Sequence, residues 1–243
     1  MNGVLLSQNG KITRADLAAI PTPPATATHR PISHAAIVAA LIETLAFRHI
    51  AVARDEYAVS ADGMKMFGVL DLEAGMPGVR FSIGIRNAND KTMRLAMTVG
   101  YRVMVCDNMA FVGDFMPVLH KHSKNLDLVE LVSIGIDKIQ RNFDPLKRQI
   151  EDWQTRTLPD DRAKLILYAA FVEGQLAAPR LLLPAVHKNY FHPEHEAFQP
   201  RTLWSLSNAF TSAFKELKPT RQFQATAKLG AFLTCVNGTY SSG

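Results

Sequence analysis

The stretch that decides the fold runs from Val79 to Phe111 and reads VRFSIGIRNANDKTMRLAMTVGYRVMVCDNMAF. Apolar residues alternate with small or polar residues in two runs, which the polar segment Asn87–Lys91 separates. Alternation with a period of two predicts β-strands with one buried face. The apolar positions are Phe81, Ile83 and Ile85 in the first run, and Leu95, Met97, Val99, Tyr101, Val103 and Val105 in the second. We therefore expect two strands of one sheet, joined by a turn.

The intervening positions of the two runs are small or polar and carry an arginine near each strand end, among them Arg86, Arg94 and Arg102. If the apolar face is buried, this second face is free for solvent, a ligand or a partner. The pattern therefore predicts that Leu95, Met97, Val99, Tyr101 and Val103 are buried, whereas the three arginines are accessible on one side.

The flanking segments indicate where the other elements lie. Asp62-Gly63 between two apolar runs predicts a β-hairpin, and Ser33 is a suitable cap for a helix that ends near His49. Helical spacing follows from residue 125 to about residue 156, with a break expected at Pro145. Further helices are predicted over about 160–175, from Thr202, and over about 221–233, with a mostly irregular stretch up to Pro200.

Strands followed by helices predict an α+β fold. Its antiparallel sheet would span about residues 50–115 and be covered on one face by helices, mostly from the C-terminal half. Residues 1–32 read as an extended arm because of their prolines, residues 33–233 as a single domain, and residues 234–243 as a flexible tail.

The composition favours a soluble protein with an anionic partner. The chain has 243 residues, a net charge of +5 and a sequence pI of about 9.3. It shows neither a signal-peptide pattern nor an apolar run long enough to span a bilayer, so no membrane partner is expected. Two cysteines argue against a disulfide framework, and the cytoplasm is the expected compartment. Glycine-rich phosphate loops are missing from the sequence, and no cofactor is predicted.

Two basic segments are candidates for binding nucleic acid. In the first, Arg86 and Lys91 could contact phosphates, while Asn87 and Asn89 could bind backbone or base edges. The alternative is a connecting turn, since Asn and Asp bond their own backbone. Arg94 and Arg102 would extend this surface. The second segment is His120-Lys-His-Ser-Lys124, where Lys121 and Lys124 could contact phosphates.

The histidines suggest a weaker, metal-binding alternative. His120 and His122 would share one side of an extended segment, but no second pair completes a zinc pattern. The cluster from His187 to Glu196 could form a metal or acid–base site, or Tyr190 and Phe191 could stack on bases. Trp204 and Asn208 share a helix face and are expected to be structural. Cys106 lacks an identifiable base, so the sequence predicts no catalytic residue; whether the protein is an enzyme stays open, with a non-enzymatic protein favoured.

Several separated motifs resemble a phage- and plasmid-encoded family known as domain of unknown function 932. They lie in order between about residues 20 and 230: Phe67-Gly-Val-Leu-Asp71, Ile85-Arg-Asn-Ala-Asn-Asp-Lys91, Val105-Cys-Asp-Asn108 with Phe111, His120-Lys-His122, and Thr202-Leu-Trp-Ser-Leu-Ser-Asn-Ala-Phe-Thr211. The resemblance implies a phage or mobile-element setting but no defined activity. The predicted order of helix, sheet and long helix is also similar to the core of single-strand-annealing recombinases, an analogy of fold alone.

These observations favour a nucleic-acid-binding protein, with single-stranded DNA as the expected ligand and an annealing role in phage recombination. A homo-oligomer and a host or phage protein partner stay open. The first alternative is a protein-interaction module that acts against a host defence complex, which predicts an exposed apolar patch. The second is a metal-dependent nuclease built on the histidine segments.

Overall fold

A computed structural model of the chain describes residues 11–27, 29–111, 118–120 and 127–239. Its contacts form two compact units. Of the described residues, the first unit contains 11–102, 118–120 and 127–143, and the second contains 103–111 and 144–239. The predicted single domain over residues 33–233 stays a prediction, since a division by contacts does not decide whether the units fold independently.

The elements follow one another as strands first and helices afterwards. The strands are β1 (Lys11–Ile12), β2 (Val52–Val59), β3 (Lys65–Met76), β4 (Val79–Ala88), β5 (Leu95–Val103), β6 (Asn108–Phe111) and β7 (Val118–His120). The helices are α1 (Arg14–Ala18), α2 (His34–Phe47), α3 (Leu128–Arg141), α4 (Phe143–Thr155), α5 (Asp160–Phe171), α6 (Leu183–Phe191), α7 (Leu203–Ala213) and α8 (Pro219–Thr239). The predicted α+β class, with most helices in the C-terminal half, is confirmed.

The first unit is built on a sheet with the strand order β1-β2-β3-β4-β5, and β7 pairs with β5. The β1–β2, β2–β3, β3–β4 and β5–β7 pairs are antiparallel. Asp62-Gly63 makes the predicted hairpin between β2 and β3, and Gly63 has a φ of 71°, which a residue without a Cβ adopts at little cost. The register of β3 against β4 shifts between Asp71 and Gly75.

The apolar face of the sheet is buried, as predicted. Leu95, Met97, Val99, Tyr101 and Val103 all lie in the core. Helices α2 and α3 of the same unit pack against each other and contribute buried aliphatic residues. Phe143, just after α3, stacks on Phe81 of β4 with ring centroids 4.8 Å apart. The Ser33 side chain caps α2 by accepting from the Ala36 amide.

The opposite face departs from the prediction. Ala96, Thr98 and Arg102 are as buried as their apolar neighbours on β5, so the central part of this face is not free. Small residues are as compatible with a closely packed face as with an open one, and alternation alone does not distinguish the two.

In the second unit, the helix break precedes Pro145. Helix α3 ends at Arg141, and α4 begins at Phe143, so that Pro145 lies in its first turn, where its missing N–H is not needed. Helix α7 is buried along nearly its whole length and contacts α6, α8 and β6. The Thr202 side chain caps α7 by accepting from the Ser205 amide, as predicted.

Two expected boundaries were wrong, and the N-terminal segment takes part in the fold. Residues 183–191 form α6, because Pro184 sits at the start of the helix, where proline is tolerated. The last helix continues past residue 233 to Thr239, and Val236 is buried, so residues 234–239 are not a tail. The arm is not uniformly extended, since residues 11–18 form β1 and α1 and Leu17 is fully buried. Among the described helices, none has the length and apolar character needed to cross a bilayer.

Candidate nucleic-acid interface

Arg102 lies in a buried cluster of charges on the sheet face that was expected to be open. Its Nε is 2.7 Å from Asp71 Oδ2, and its Nη2 is 3.6 Å from Glu56 Oε2. Arg102 and Asp71 are each 1% exposed. Asp71 also accepts a 2.6 Å hydrogen bond from Ser82 Oγ, and Arg54 pairs with Glu56. The cluster thus balances two guanidinium groups with two carboxylates, and we call it the Arg102 cluster.

The Arg102 cluster corrects the sequence prediction for this residue. A guanidinium that is enclosed and paired with two acids cannot meet a phosphate without unfolding the sheet locally. Burial raises the pKa of Asp71, and the Arg102 guanidinium and the Ser82 hydroxyl oppose that rise. Arg102 therefore holds the fold together and is removed from the set of candidate contacts.

Arg86 differs from Arg102 in that no acid among the described residues pairs with it. It lies on the same face as Ser82, four residues further along β4, and it is partly exposed. Its Nε is buried without a hydrogen-bond partner, and desolvation by burial, the one cause acting on this group, lowers its pKa. Since an arginine keeps its charge in proteins, Arg86 is an uncompensated cation at the protein surface.

Phe67 is the direct neighbour of Arg86 across the β3–β4 pair. Side chains of directly opposed residues lie on the same face of a sheet, about 5 Å apart at their Cβ atoms. Phe67 is partly exposed, like Arg86. The pair therefore places an aromatic ring beside a positive charge. The sequence reading did not identify Phe67 as part of a site.

Asn87 and Asn89 are structural, which corrects their prediction as ligand contacts. Asn87 is fully buried, and its Nδ2 donates to His34 Nδ1 at 3.0 Å. The other ring nitrogen of His34, Nε2, is 2.9 Å from the Gly63 carbonyl, so the ring is neutral with its proton on Nε2. Asn89 Oδ1 accepts from the Ile32 amide at 3.1 Å, and Asn89 N–H donates to the Met64 carbonyl at 2.8 Å. The side chains that were expected to bind a ligand instead join three segments of the protein.

These bonds fix an end of the sheet that carries exposed cations. Lys91 and Arg94 are exposed in the turn between β4 and β5. Arg30 is also exposed, and its segment is tied to the turn because His29 Nε2 lies 3.1 Å from the Asn89 carbonyl. Asp90, the acid of the turn, accepts from the Thr92 amide and pairs with Lys65 at 3.2 Å. We call Arg30, Phe67, Arg86, Lys91 and Arg94 together the turn-end surface.

The second basic segment is only partly described. Lys121, His122 and Lys124 lie outside the described residues, so the phosphate contacts predicted for the two lysines stay predictions. For His120 the backbone is defined, and it pairs with Leu95 at the start of β5. Strand β7 therefore ends beside Arg94, at the same end of the sheet as the turn-end surface.

Two histidines of the second unit pack on aromatic rings. No group of three His, Cys, Asp or Glu side chains able to hold a metal occurs in the described part of the chain. His187 packs on the Phe191 ring with centroids 4.5 Å apart, and His195 lies edge-on to Phe198. Tyr190 is buried and donates to the Leu158 carbonyl, which excludes the base stacking considered for it. Trp204 and Asn208 are buried, as expected.

Comparison of the chain with protein-family models, with curated proteins and with solved structures gives no match.

Proposed function

We propose that the protein binds single-stranded nucleic acid through the turn-end surface of its first unit. The observation that carries the proposal is Arg86, a partly buried guanidinium that pairs with no acid in the described part of the chain and has a buried Nε without a hydrogen bond. A desolvated cation of this kind gains more from an anion than a solvated surface lysine does. Phosphate suits it, because the guanidinium fork can donate two parallel hydrogen bonds to its oxygens.

Phe67 makes a single strand the better ligand. Proteins that bind single strands combine cations along the backbone with aromatic rings on which unpaired bases stack. Phe67 beside Arg86 supplies one element of each kind on neighbouring strands. In a duplex the base faces are already stacked and closed to such a ring. DNA in a phage or mobile-element setting, as the family resemblance implies, remains part of the proposal.

The exposed cations Arg30, Lys91 and Arg94 extend the charge around Arg86. The turn that carries Lys91 and Arg94 is held by buried hydrogen bonds, and the Arg30 segment is bonded to it, so these cations are presented from a fixed base rather than from a loose loop. Fixed cations lose less side-chain and backbone entropy on binding. This arrangement supports a continuous contact with several phosphates.

A salt series with paired variants tests the proposal. Binding of a short fluorescein-labelled oligothymidylate is followed by fluorescence anisotropy for the wild type, for Arg86→Ala with Arg94→Ala, and for Arg141→Ala with Arg148→Ala. The second pair is a control that removes the same charge from exposed positions on α3 and α4. Each phosphate contact contributes about −0.7 to the log–log slope for a single strand.

We expect the first double variant to bind more weakly and to flatten the slope by about 1.4 units, because two contacts are lost. The control should change the slope far less. Equal slopes for the two double variants would show that only net charge matters. If the wild type does not bind at low salt, the proposed function is wrong.

A second candidate function is protein binding. The sequence gives a protein-interaction module as its first alternative, and such a module should expose an apolar patch. Such a stripe exists on the second unit: Leu165 and Tyr168 on α5 and Val172 at its C-terminal cap recur at helical spacing, and Leu181 is 74% exposed. The Arg180 side chain donates to the Val172 carbonyl, which ties the Leu181 segment to the end of α5.

Light scattering after gel filtration tests self-association through this stripe. A dimer that becomes monomeric on Leu165→Glu with Leu181→Glu supports this function, and a monomer at all concentrations excludes self-association.

A further inference from the structure

The side-chain amide of Asn87 holds two acceptors at once. Its Nδ2 lies 3.0 Å from His34 Nδ1 and 3.4 Å from the Ile32 carbonyl oxygen, on a side chain that is fully buried. An amide nitrogen carries two hydrogens, one for each of these acceptors. The ring of His34 and the backbone of the segment before α2 therefore depend on the same donor.

The His34 ring determines the orientation of this amide. His34 Nε2 is 2.9 Å from the Gly63 carbonyl, and a carbonyl can only accept, so Nε2 carries a hydrogen in the neutral and in the charged ring. In the neutral ring Nδ1 is then an acceptor, and the Asn87 atom beside it must be the nitrogen. In the charged ring Nδ1 becomes a donor, and two donors would face each other. A protonated His34 and the present orientation of Asn87 therefore exclude each other.

Rotation of the Asn87 amide by half a turn removes this conflict. Its Oδ1, which is buried and bonds to none of the described residues, would then accept from the Nδ1–H of the charged ring. Hydrogen bonds with a charged donor are about twice as strong as neutral ones. The nitrogen would occupy the position that Oδ1 leaves, so one buried unpaired atom replaces another. The net loss is the bond to the Ile32 carbonyl, which would face an oxygen.

The Ile32 carbonyl belongs to the segment that carries Arg30. The two other bonds described above for this segment both lead to Asn89: the Ile32 amide donates to its Oδ1, and His29 Nε2 lies 3.1 Å from its carbonyl. An unpaired carbonyl next to a second oxygen is costly. Because Ile32 is partly exposed, movement of the segment towards water relieves this cost.

The elements that bond to His34, and the segment before it, carry charges of both signs. These groups are Asp62 and Lys65 on either side of Gly63, Arg86 and Asp90 on either side of the two asparagines, and His29 and Arg30 in the preceding segment. Burial lowers the pKa of His34, and the bond to the Gly63 carbonyl opposes this shift. The ring therefore takes up its proton at a pH below its ordinary value of 6.5.

We propose that His34 and Asn87 form a pH-dependent switch that holds or releases the segment of residues 29–33. With a neutral ring, the amide holds the Ile32 carbonyl. When His34 takes up a proton, the amide turns over and the carbonyl is released. Arg30 is a member of the turn-end surface, so the switch determines whether this cation is held at the end of the sheet. The switch itself does not depend on nucleic-acid binding.

Nuclear magnetic resonance of the full chain tests the switch without a ligand. Three signals are followed from about pH 8 to about pH 4: the ring nitrogens of His34, the side-chain amide of Asn87 and the carbonyl carbon of Ile32. We expect all three to shift with one common midpoint, below pH 6.5. An Ile32 signal that stays in place while His34 takes up its proton would overturn the proposal. Proton uptake that occurs only as the whole protein unfolds would overturn it as well.

Two glutamine variants identify the group that titrates. His34→Gln removes the proton acceptor and should abolish the transitions of Asn87 and Ile32. His29→Gln is the matched control, since it removes a second ring from the same segment and retains an N–H donor for the Asn89 carbonyl. This control should keep the common midpoint. Transitions that persist in His34→Gln or vanish in His29→Gln would assign the effect to another group and reject the switch.

Asn87→Asp imitates the released state. A carboxylate accepts from His34 but cannot donate to the Ile32 carbonyl. The midpoint of His34 should therefore rise above pH 6.5, because the adjacent negative charge favours the charged ring. The Ile32 signal should lie at its released position already at neutral pH. An Ile32 signal that titrates in Asn87→Asp as it does in the wild type would contradict the proposal.

Discussion

Arg102 and Arg86 occupy the same face of one sheet, yet the protein uses them in opposite ways. Arg102 is enclosed with Asp71 and Glu56, and its charge is balanced inside the fold. Arg86 is partly exposed, pairs with none of the acids that the structure describes and retains a buried Nε without a hydrogen-bond partner. The difference lies in their surroundings. Arg102 contacts Asp71 and Glu56, and Ser82 donates to Asp71, whereas Arg86 lies directly opposite Phe67. A residue type and a face therefore do not define a binding site until its cross-strand partners are known.

The largest effect should come from breaking the Arg102 cluster. Asp71→Ala removes the nearest acid from a buried guanidinium, and losing one partner of a buried pair costs about 3–5 kcal/mol of unfolding free energy. Urea denaturation followed by circular dichroism measures the loss. A loss below about 1 kcal/mol would mean that Arg102 is well solvated and that the contrast with Arg86 is false.

A loss of comparable size is expected from the other face of the same strand. Met97 is fully buried on the apolar face of β5. Its replacement by alanine should cost about 2–5 kcal/mol, because it removes packed atoms and leaves a cavity. The same denaturation experiment applies. Similar losses in Met97→Ala and Asp71→Ala would support a sheet that is buried on both faces, whereas a negligible loss in Met97→Ala would show that the apolar face is not part of the core.

A smaller effect should appear as pH dependence at the turn end. Burial lowers the pKa of His34 below its ordinary value of 6.5. At this site the unfolded chain therefore binds a proton more readily than the folded chain does. The contribution of His34 to the unfolding free energy is fully present above pH 6.5, and it is lost as the pH falls through the lower pKa of the folded state. Denaturation between pH 8 and 5 should show a steeper fall for the wild type than for His34→Gln, which has no proton to take up. Parallel curves for the two proteins would show that His34 is not buried as a neutral ring.

The smallest effect on stability is predicted for Arg86→Met. Methionine keeps the apolar stem and removes a charge that has no partner, so the unfolding free energy should change by no more than about 1 kcal/mol, with stabilisation the expected direction. Urea denaturation measures the change, and the large loss expected for Asp71→Ala in the same experiment serves as the reference. A loss of about 3 kcal/mol in Arg86→Met would reveal that this arginine is part of the fold after all.

The sequence predicts the strands of this sheet well and the site poorly, for a physical reason. Alternation shows which side chains share a face, and the five apolar residues of β5 are buried as expected. The partner across the strand depends on register. Counting outward from the Met76–Val79 pair would place Phe67 opposite Ala88, but the shift between Asp71 and Gly75 brings it opposite Arg86. No local sequence pattern indicates such a shift in strand register.

The two asparagines show the same limit. Asn87 and Asn89 lie in a polar segment typical of either a turn or a binding loop. The two asparagines bond within the protein because the fold brings Ile32, His34 and Met64 close to them. These three residues are distant in the chain, so no local pattern shows the contacts. The helix caps at Ser33 and Thr202, by contrast, depend on residues three positions away and were predicted correctly.

The most direct test of the account is to observe the Nε–H groups of Arg86 and Arg102 during titration with a short oligothymidylate. Their nitrogen–proton signals are assigned by comparison with Arg86→Lys, which removes one of them. We predict that the Arg86 Nε–H signal shifts and saturates as phosphate binds the exposed part of the same guanidinium, while the Arg102 signal, held by Asp71, stays unchanged. Binding of the oligonucleotide without any shift at Arg86 would contradict the account, because the cation left unpaired by the fold would then not be the one that meets the ligand.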